Sequence, residues 1–276
     1  MLWVLQRNLQ FFAEKIKSEC GGDNLPFDYT RAGLAPKANE ILAFLQANGA
    51  NIEDDKEHAT HRQLRIRGPQ KDTLTIKIYN NKAVQFQGKR LNLASLLCDY
   101  LTNILSLDDA ISSQIEIFSI PLTIVQVKDS FEARAPIACQ YIKDIVRAQL
   151  SSALALTCVQ LPVEDHSYIA YPALRGLEGF MKDVLVAAGF GPASNADFSD
   201  YFQNKALRPD QARHAGPVKT DVLNRCYPLW SDQRHRLFHM DAPSDTSRML
   251  NAAEAVQIVN RVLDLINNSS QLLVNE

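Results

Sequence analysis

The stretch Thr73-Leu74-Thr75-Ile76-Lys77-Ile78-Tyr79-Asn80-Asn81-Lys82-Ala83-Val84-Gln85-Phe86-Gln87-Gly88 decides the fold. Leu74, Ile76 and Ile78 alternate with Thr75, Lys77 and Tyr79, and Val84 and Phe86 alternate with Gln85 and Gln87. A period of two sends the two sets to opposite faces of a pleated strand, so the spacing predicts two half-buried strands. Asn80-Asn81 between them supplies the positive φ of a tight hairpin. One strand earlier, Leu64 and Ile66 alternate with Arg65 and Arg67, and Gly68-Pro69 turns the chain. Residues 50–60, with Glu53, Asp54, Asp55 and Glu57, read as an acidic loop leading into this sheet.

Outside the sheet the apolar period lengthens to that of a helix. Leu2, Leu5, Leu9, Phe12 and Ile16 mark an amphipathic helix over residues 2–19, stopped by Gly21-Gly22-Asp23-Asn24. A second helix begins at Pro36, buries Ile41, Leu42 and Leu45, and closes at Asn48-Gly49. A third starts near Leu91 and buries Leu93, Leu96, Leu97, Tyr100, Leu101 and Ile104. Antiparallel strands with helices on one side make a compact α+β unit. Ile115-Glu116-Ile117 and residues 122–127 read as further strands, and residues 137–156 as a helix.

The C-terminal part reads as a small helical bundle. One helix runs from Pro172 to Ala188, with proline in its first turn and Gly189 ending it. A loop rich in Gly, Pro, Asn and Asp follows from Gly191 to Pro217, with a short helix near residues 198–202. The next helix starts near Thr220 and passes Leu223, Tyr227, Trp230 and Leu237. Pro228 kinks or restarts it, and Asp241-Ala242-Pro243 ends it. Ser244 or Asp245 caps a last helix with Leu250, Ala253, Val256, Val259, Leu263 and Ile266 inward. The domain reading is a helical segment over 1–50, an α/β domain over 51–160 and an all-α domain over 161–276. The second boundary falls within 155–168.

Composition narrows the class. The chain is 46% hydrophobic and 22% charged with a net charge of −2, which is ordinary for a soluble globular protein. Five cysteines, Cys20, Cys98, Cys139, Cys158 and Cys226, never form CxxC, which argues against a disulfide framework or zinc knuckle and fits a cytoplasmic protein. No apolar run reaches the length of a membrane span, so no membrane association is expected. Residues 61–90 carry eight Lys/Arg against Asp72 alone. On that sheet Arg65, Arg67 and Lys77, with Tyr79 for stacking, fit a phosphate backbone. A solvated face with cations guarding its edge is the alternative.

Chemistry concentrates in Trp230-Ser231-Asp232-Gln233-Arg234-His235-Arg236-Leu237-Phe238-His239-Met240. His235 and His239 share a helix face, but Arg236 stands where a zincin has Glu, and adjacent guanidiniums repel a dication, so no metal is expected. Arg234 with His239 suits phosphodiester transesterification. The imidazole moves a proton, the guanidinium stabilises charge on the phosphorane, and RNA supplies its own 2′-hydroxyl nucleophile. Neither metal nor cofactor is needed. Upstream, Tyr171-Pro172-Ala173-Leu174-Arg175-Gly176-Leu177-Glu178-Gly179 puts Arg175 and Glu178 on one helix face, with Leu174, Leu177 and Met181 toward the core. Glu178 is suited to orienting His239 or Arg234 and Arg175 to holding phosphate, while a plain surface ion pair is the alternative.

Arg, four residues, then His, near a helix end in a small α-bundle, resembles the signature of HEPN-superfamily ribonucleases. With the Tyr171–Gly179 cluster upstream and a sheet unit before it, the order over residues 35–276 resembles the RnlA/LsoA family of ribonuclease LS toxins. Residues 73–88 are similar to the TATA-binding-protein-like repeat of that family. The resemblance implies a TATA-binding-protein-like α/β domain with a curved antiparallel sheet, followed by a HEPN domain. It also implies a metal-independent endoribonuclease toxin with Arg175, Glu178, Arg234 and His239 at its active site and His235 and Arg236 beside it. A homodimer through the HEPN domain, an antitoxin partner and a role in phage defence are implied too. The departure is that one such α/β repeat is legible here where the family has two. A non-catalytic RNA-binding or antitoxin-interaction protein is the competing expectation.

Overall fold

The computed structural model describes residues 26–69, 71–159, 165–191, 198–238 and 249–276. The expected helix over residues 2–19 lies outside them. The described residues gather into two units, one up to Ile124 with a return at residues 155–159, the other made of Val125–Leu154 and the chain from residue 165 onward.

The first unit is an antiparallel five-stranded sheet in the order β1-β5-β4-β3-β2, from β1 (Pro26–Arg31), β2 (Asn51–Glu57), β3 (His61–Arg67), β4 (Thr73–Tyr79) and β5 (Val84–Lys89). Its helices are α1 (Ala38–Ala47), entered through a 3-10 turn at Ala35–Lys37, α2 (Asn92–Ile104) and α3 (Leu107–Phe118). The alternation works as read: Leu64, Ile66, Leu74, Ile76, Val84 and Phe86 are buried, joined by Phe27 and Tyr29 of β1. α2 packs on β4 and α3 on β1, where the Tyr29 hydroxyl meets Ser113 Oγ at 2.7 Å.

Three local expectations need correction. The acidic loop at 50–60 is the edge strand β2, because its Glu53, Asp55 and Glu57 carboxylates lie beside the guanidiniums of β3 and opposite charges across a strand pair stabilise the pairing. The hairpin's positive φ falls on Lys82 (67°) rather than on Asn80-Asn81. Tyr79 accepts from Lys82 N and donates to Ala83 O, so the loop is a turn followed by a left-handed residue. Ile115-Glu116-Ile117 is the end of α3, capped by Ser106 through Asp109 N, and residues 122–127 run into a helix. Short apolar runs do not separate strand from buried helix by period alone.

The second unit is helical: α4 (Ile124–Arg134), α5 (Pro136–Tyr141), α6 (Asp144–Leu156), α7 (Ser167–Ala187), α8 (Pro209–Ala215), α9 (Pro217–Phe238) and α10 (Ala252–Val274). Before α8 a 3-10 turn at Phe198–Asp200 leads into a two-stranded hairpin, β6 (Phe202–Gln203) with β7 (Ala206–Leu207). The expected helix at 137–156 is broken between α5 and α6. The units divide at 124/125 where the sequence reading divided at 160/161, because α4 and α5 dock on α10. Arg134 Nη1 meets Asp264 Oδ1 at 2.6 Å, and Asn267 Oδ1 accepts from Ile137 N and Ala138 N, capping α5.

α7 starts five residues before Pro172. Asp165 Oδ1 accepts from Ser167 N, Ser167 Oγ and Leu250 N, fixing the helix start and tying it to the chain before α10. α9 runs through Pro228 without a break, its flanking Leu223, Cys226, Leu229 and Trp230 buried, so packing outweighs the one lost backbone bond. α10 is capped by Asn251 with Glu254 in a reciprocal capping box. Its inward face is therefore Ala255, Ile258, Val259, Val262, Leu263 and Ile266, whereas Ala253 is exposed and Val256 half-buried. The expected caps Ser244 and Asp245, and the helix end at Asp241-Ala242-Pro243, lie outside the described residues. No helix among the described residues is long and apolar enough to cross a membrane.

Two contacts invite measurement. The buried Asp72, in the β3–β4 turn, accepts from Leu93 N at 2.7 Å and so caps α2 from a distance, while burial raises its carboxyl above the usual range. A raised carboxyl pKa binds protons better folded than unfolded, so Asp72 lowers stability as pH rises through that pKa. Asp72→Asn keeps an acceptor and removes the buried charge, so its urea midpoint at pH 7 is expected at or above wild type. Asp72→Ala leaves Leu93 N–H bare and is expected to cost about 1–2 kcal/mol. Equal damage from both would overturn this account. In the second unit, a Cβ on Gly176 would lie 2.7 Å from Leu150 Cδ2. Gly176→Ala is therefore expected to destabilise by about 1–3 kcal/mol, with Leu150→Ala in the same chain recovering part of the loss in a double-mutant cycle.

Candidate functional site

α7 is the middle of the second unit, packed against α9 and α10. Ile169, Ala170, Ala173, Leu174, Leu177, Phe180, Met181, Val184 and Leu185 are all buried. Gly176 and Gly179 face Leu150 and Val146 of α6 so closely that a side chain larger than hydrogen would crowd them. With those directions used, Tyr171, Arg175, Glu178 and Lys182 remain half-buried in a row. Their spacing of four, three and four keeps them on one stripe of the helix.

Arg175 and Glu178 thus share a face, with Leu174, Leu177 and Met181 toward the core as read from the sequence. The carboxylate has a partner that the sequence reading missed. Lys182 Nζ lies 2.8 Å from Glu178 Oε1, and the Glu178 side chain is only 12% exposed. The signal was present as an i, i+4 Glu–Lys pair, but ordinary surface helices carry many of these.

Lys182 also connects the stripe to α9. Its ammonium sits 6.0 Å from the centre of the Phe198 ring. Phe198 stands edge-on to Trp230 at 4.5 Å, and Phe202 stacks on Tyr227 at 3.9 Å with the ring planes 5° apart. This ring cluster fastens the 3-10 turn and hairpin onto α9, helped by Lys205 to Asp232 at 2.6 Å and by Leu207 N to Asn224 Oδ1. Trp230 is one turn before Arg234 on the same helix. Arg234, His235 and Arg236 continue α9 beyond it, and His239 lies outside the described residues.

Of the four sheet residues, Arg65, Arg67, Lys77 and Tyr79, the two arginines are paired. Glu53 of β2 lies 3.4 Å from both Arg65 Nε and Arg67 Nη1. Next to them Asp55 takes a two-point hydrogen bond from Arg62, which holds its carboxyl below the usual range. The eight-to-one excess of cations over residues 61–90 is thus partly neutralised by the strand beside it. Lys77 has no carboxylate partner among the described residues, and the Tyr79 hydroxyl donates to Gln85 Oε1 at 2.8 Å.

Burial takes the thiols of Cys98, Cys158 and Cys226 away from nucleophilic work. Cys98 and Cys226 are buried, and burial pushes the thiol of Cys226 up to about 12. Cys139 and Cys158 are half-buried, and Cys20 lies outside the described residues.

The comparisons with known proteins agree with this division. A family model described as RNase LS, bacterial toxin, matches residues 36–106, and one described as RNase LS, bacterial toxin DBD domain, matches residues 125–241. The second match begins where the second unit begins. The mRNA endoribonuclease LsoA of Escherichia coli O157:H7 is 28% identical over 261 residues, covering 91% of this chain and 75% of the relative. The mRNA endoribonuclease toxin LS of Escherichia coli strain K12 is 32% identical over 100 residues, 34% of this chain and 28% of that one. The crystal structure of Escherichia coli toxin LsoA in complex with T4 phage antitoxin Dmd matches with a TM-score of 0.57 at 25% identity, covering 90% of this chain and all of that one. With two family models on successive parts of the chain and a relative aligned along most of it, the chain belongs to the RNase LS bacterial toxin family.

Proposed function

We propose that this chain is a metal-independent endoribonuclease toxin that cuts RNA by attack of the 2′-hydroxyl on the adjacent phosphate. The observation that carries the reading is the polar stripe of α7, with Arg175, Glu178 and Lys182 beside a run of buried apolar residues, packed against the helix that leads to Arg234. The endoribonuclease names of the two relatives support it. In this reading the second unit is a HEPN domain and the first a TATA-binding-protein-like domain.

His239 is the general acid and base, Arg234 stabilises the phosphorane, Arg175 contacts phosphate, and Glu178 orients the Arg234–His239 pair. His235 and Arg236 add positive charge beside the cut. Arg65, Arg67, Lys77 and Tyr79 guide the strand. The active form is a homodimer through the HEPN domain in the cytoplasm, restrained by an antitoxin protein and used in phage defence. The T4 antitoxin bound to the similar LsoA supports the antitoxin partner.

Cleavage of a labelled RNA tests the reading. Arg234→Ala and His239→Ala are expected to lose at least about 100-fold in rate, as removal of a proton-transfer group or charge stabiliser does. A 2′-deoxy substitution at the cut site is expected to block cleavage, and chelator to leave the rate unchanged. If both variants cut as fast as wild type, the assignment fails. If wild type binds RNA without cutting it, the non-catalytic reading takes its place.

Lys182 gives a second test. It ion-pairs with the nearly buried Glu178 carboxylate at 2.8 Å, so removing it loosens the side chain that orients the Arg234–His239 pair. Lys182→Met is expected to lower kcat more than it raises KM. Lys182→Arg is expected to restore both. An unchanged kcat in Lys182→Met would show that the lysine serves only the fold.

A further inference from the structure

One corner of the sheet carries a row of rings of which the proposed function uses Tyr79 alone. His58 and His61 flank the β2–β3 turn, with His58 N donating to His61 O at 2.9 Å, and their rings stack 4.6 Å apart at 19°. His61 pairs with Tyr79 across β3 and β4, with ring centres 5.2 Å apart. The row continues through the Tyr79 hydroxyl to Gln85, whose amide donates to Asp28 at 2.7 Å.

The register sets Gln63, Lys77 and Gln85 side by side in the next row of the same face, and Arg65, Thr75, Gln87 and Asp28 in the row after that. On β3, β4 and β5 this face carries no Val, Leu, Ile, Met or Phe, whereas the opposite face carries the core. It has nothing to offer a second apolar layer. Rings, flat amides and an ammonium are what stack on bases, hydrogen-bond their edges and neutralise phosphate.

We infer that the His58–His61–Tyr79 row is a base-stacking platform for single-stranded RNA, with Lys77 taking the adjoining phosphate. His58 is exposed at the end of the row, so a base continues the stack on its outer face. Lys77 lies one row, about 6.6 Å, along β4 from Tyr79 and two strands, about 10 Å, across from His58, so the RNA backbone runs diagonally from the stack to its ammonium. Arg65 and Arg67, shared with Glu53, are secondary to Lys77 here. The choice of RNA as the polymer rests on the proposed function. Preference for a single strand follows from the rings, because a base inside a duplex has no open face to offer.

The test is fluorescence anisotropy of the full chain with a labelled 2′-O-methyl oligoadenylate, which has no nucleophile and so reports binding without cleavage. His58→Ala is expected to weaken binding about 5- to 20-fold, and His58→Phe to restore it, because the ring and not the imidazole proton is used. Lys77→Gln is expected to weaken binding and reduce the salt slope by about one ion. Lys37→Gln, on an exposed ion pair with Glu40 among the helices, is expected to bind as wild type. A duplex of the same length is expected to bind more weakly and not to respond to His58→Ala. Wild-type affinity in both His58→Ala and Lys77→Gln, no binding by wild type, or equal loss in His58→Phe and His58→Ala would each overturn the platform. If the binding pattern holds while wild type cleaves no RNA, the platform stands and the catalytic proposal falls. If RNA is cleaved through Arg234 and His239 while the sheet variants bind unchanged, the reverse is true.

Discussion

The close approach of α6 to α7 through Gly176 and Gly179 is the constraint on which the second unit depends. A helix pressed against α6, α9 and α10 has little circumference left for water. What remains is one stripe, and on it the sequence puts Tyr171, Arg175, Glu178 and Lys182. Polar side chains confined in this way lose few rotamers when they bind, and the enclosed carboxylate of Glu178 has the Lys182 ammonium beside it. The glycines between those residues are therefore as much a part of the candidate site as the charges. The ring cluster of Phe198, Phe202, Tyr227 and Trp230 does similar work on α9, stiffening the helix one turn before Arg234.

The first unit is governed by a balance of charge. β2 is an acidic edge strand laid along a basic neighbour, and Glu53 and Asp55 hold it there together with its backbone bonds. Such a strand closes the edge against further pairing and at the same time withdraws Arg65 and Arg67 from the field of the sheet. The positive character read from residues 61–90 alone is thus reduced along β3, while Lys77 of β4 has no carboxylate partner among the described residues.

Much of this was legible in the sequence. The period of two over residues 64–86 named the buried face of three strands, and the helices at Ala38–Ala47 and Asn92–Ile104 were read nearly to their ends. The shared face of Arg175 and Glu178 followed from their spacing, and the family followed from the order of these motifs along the chain. These features repeat at the step of a single element, so each segment states them by itself.

Other features needed residues far apart in the chain. Asn51–Glu57 is a strand only because β3 lies beside it with three arginines, and by itself it reads as solvated loop. Asp165 sets the start of α7 and Asn267 caps α5, so neither helix boundary is written in its own segment. Pro228 remains within α9 because the buried residues around it gain more from packing than one backbone bond is worth. Lys182 is a routine helix pair until the fold brings Phe198 and Trp230 to its other side. The sequence by itself determined which faces are apolar and where the reactive side-chain types lie. Tertiary structure decided which charges are paired, which helices continue and which polar residues share a surface, because burial and electrostatic pairing depend on neighbours that the chain meets only after folding.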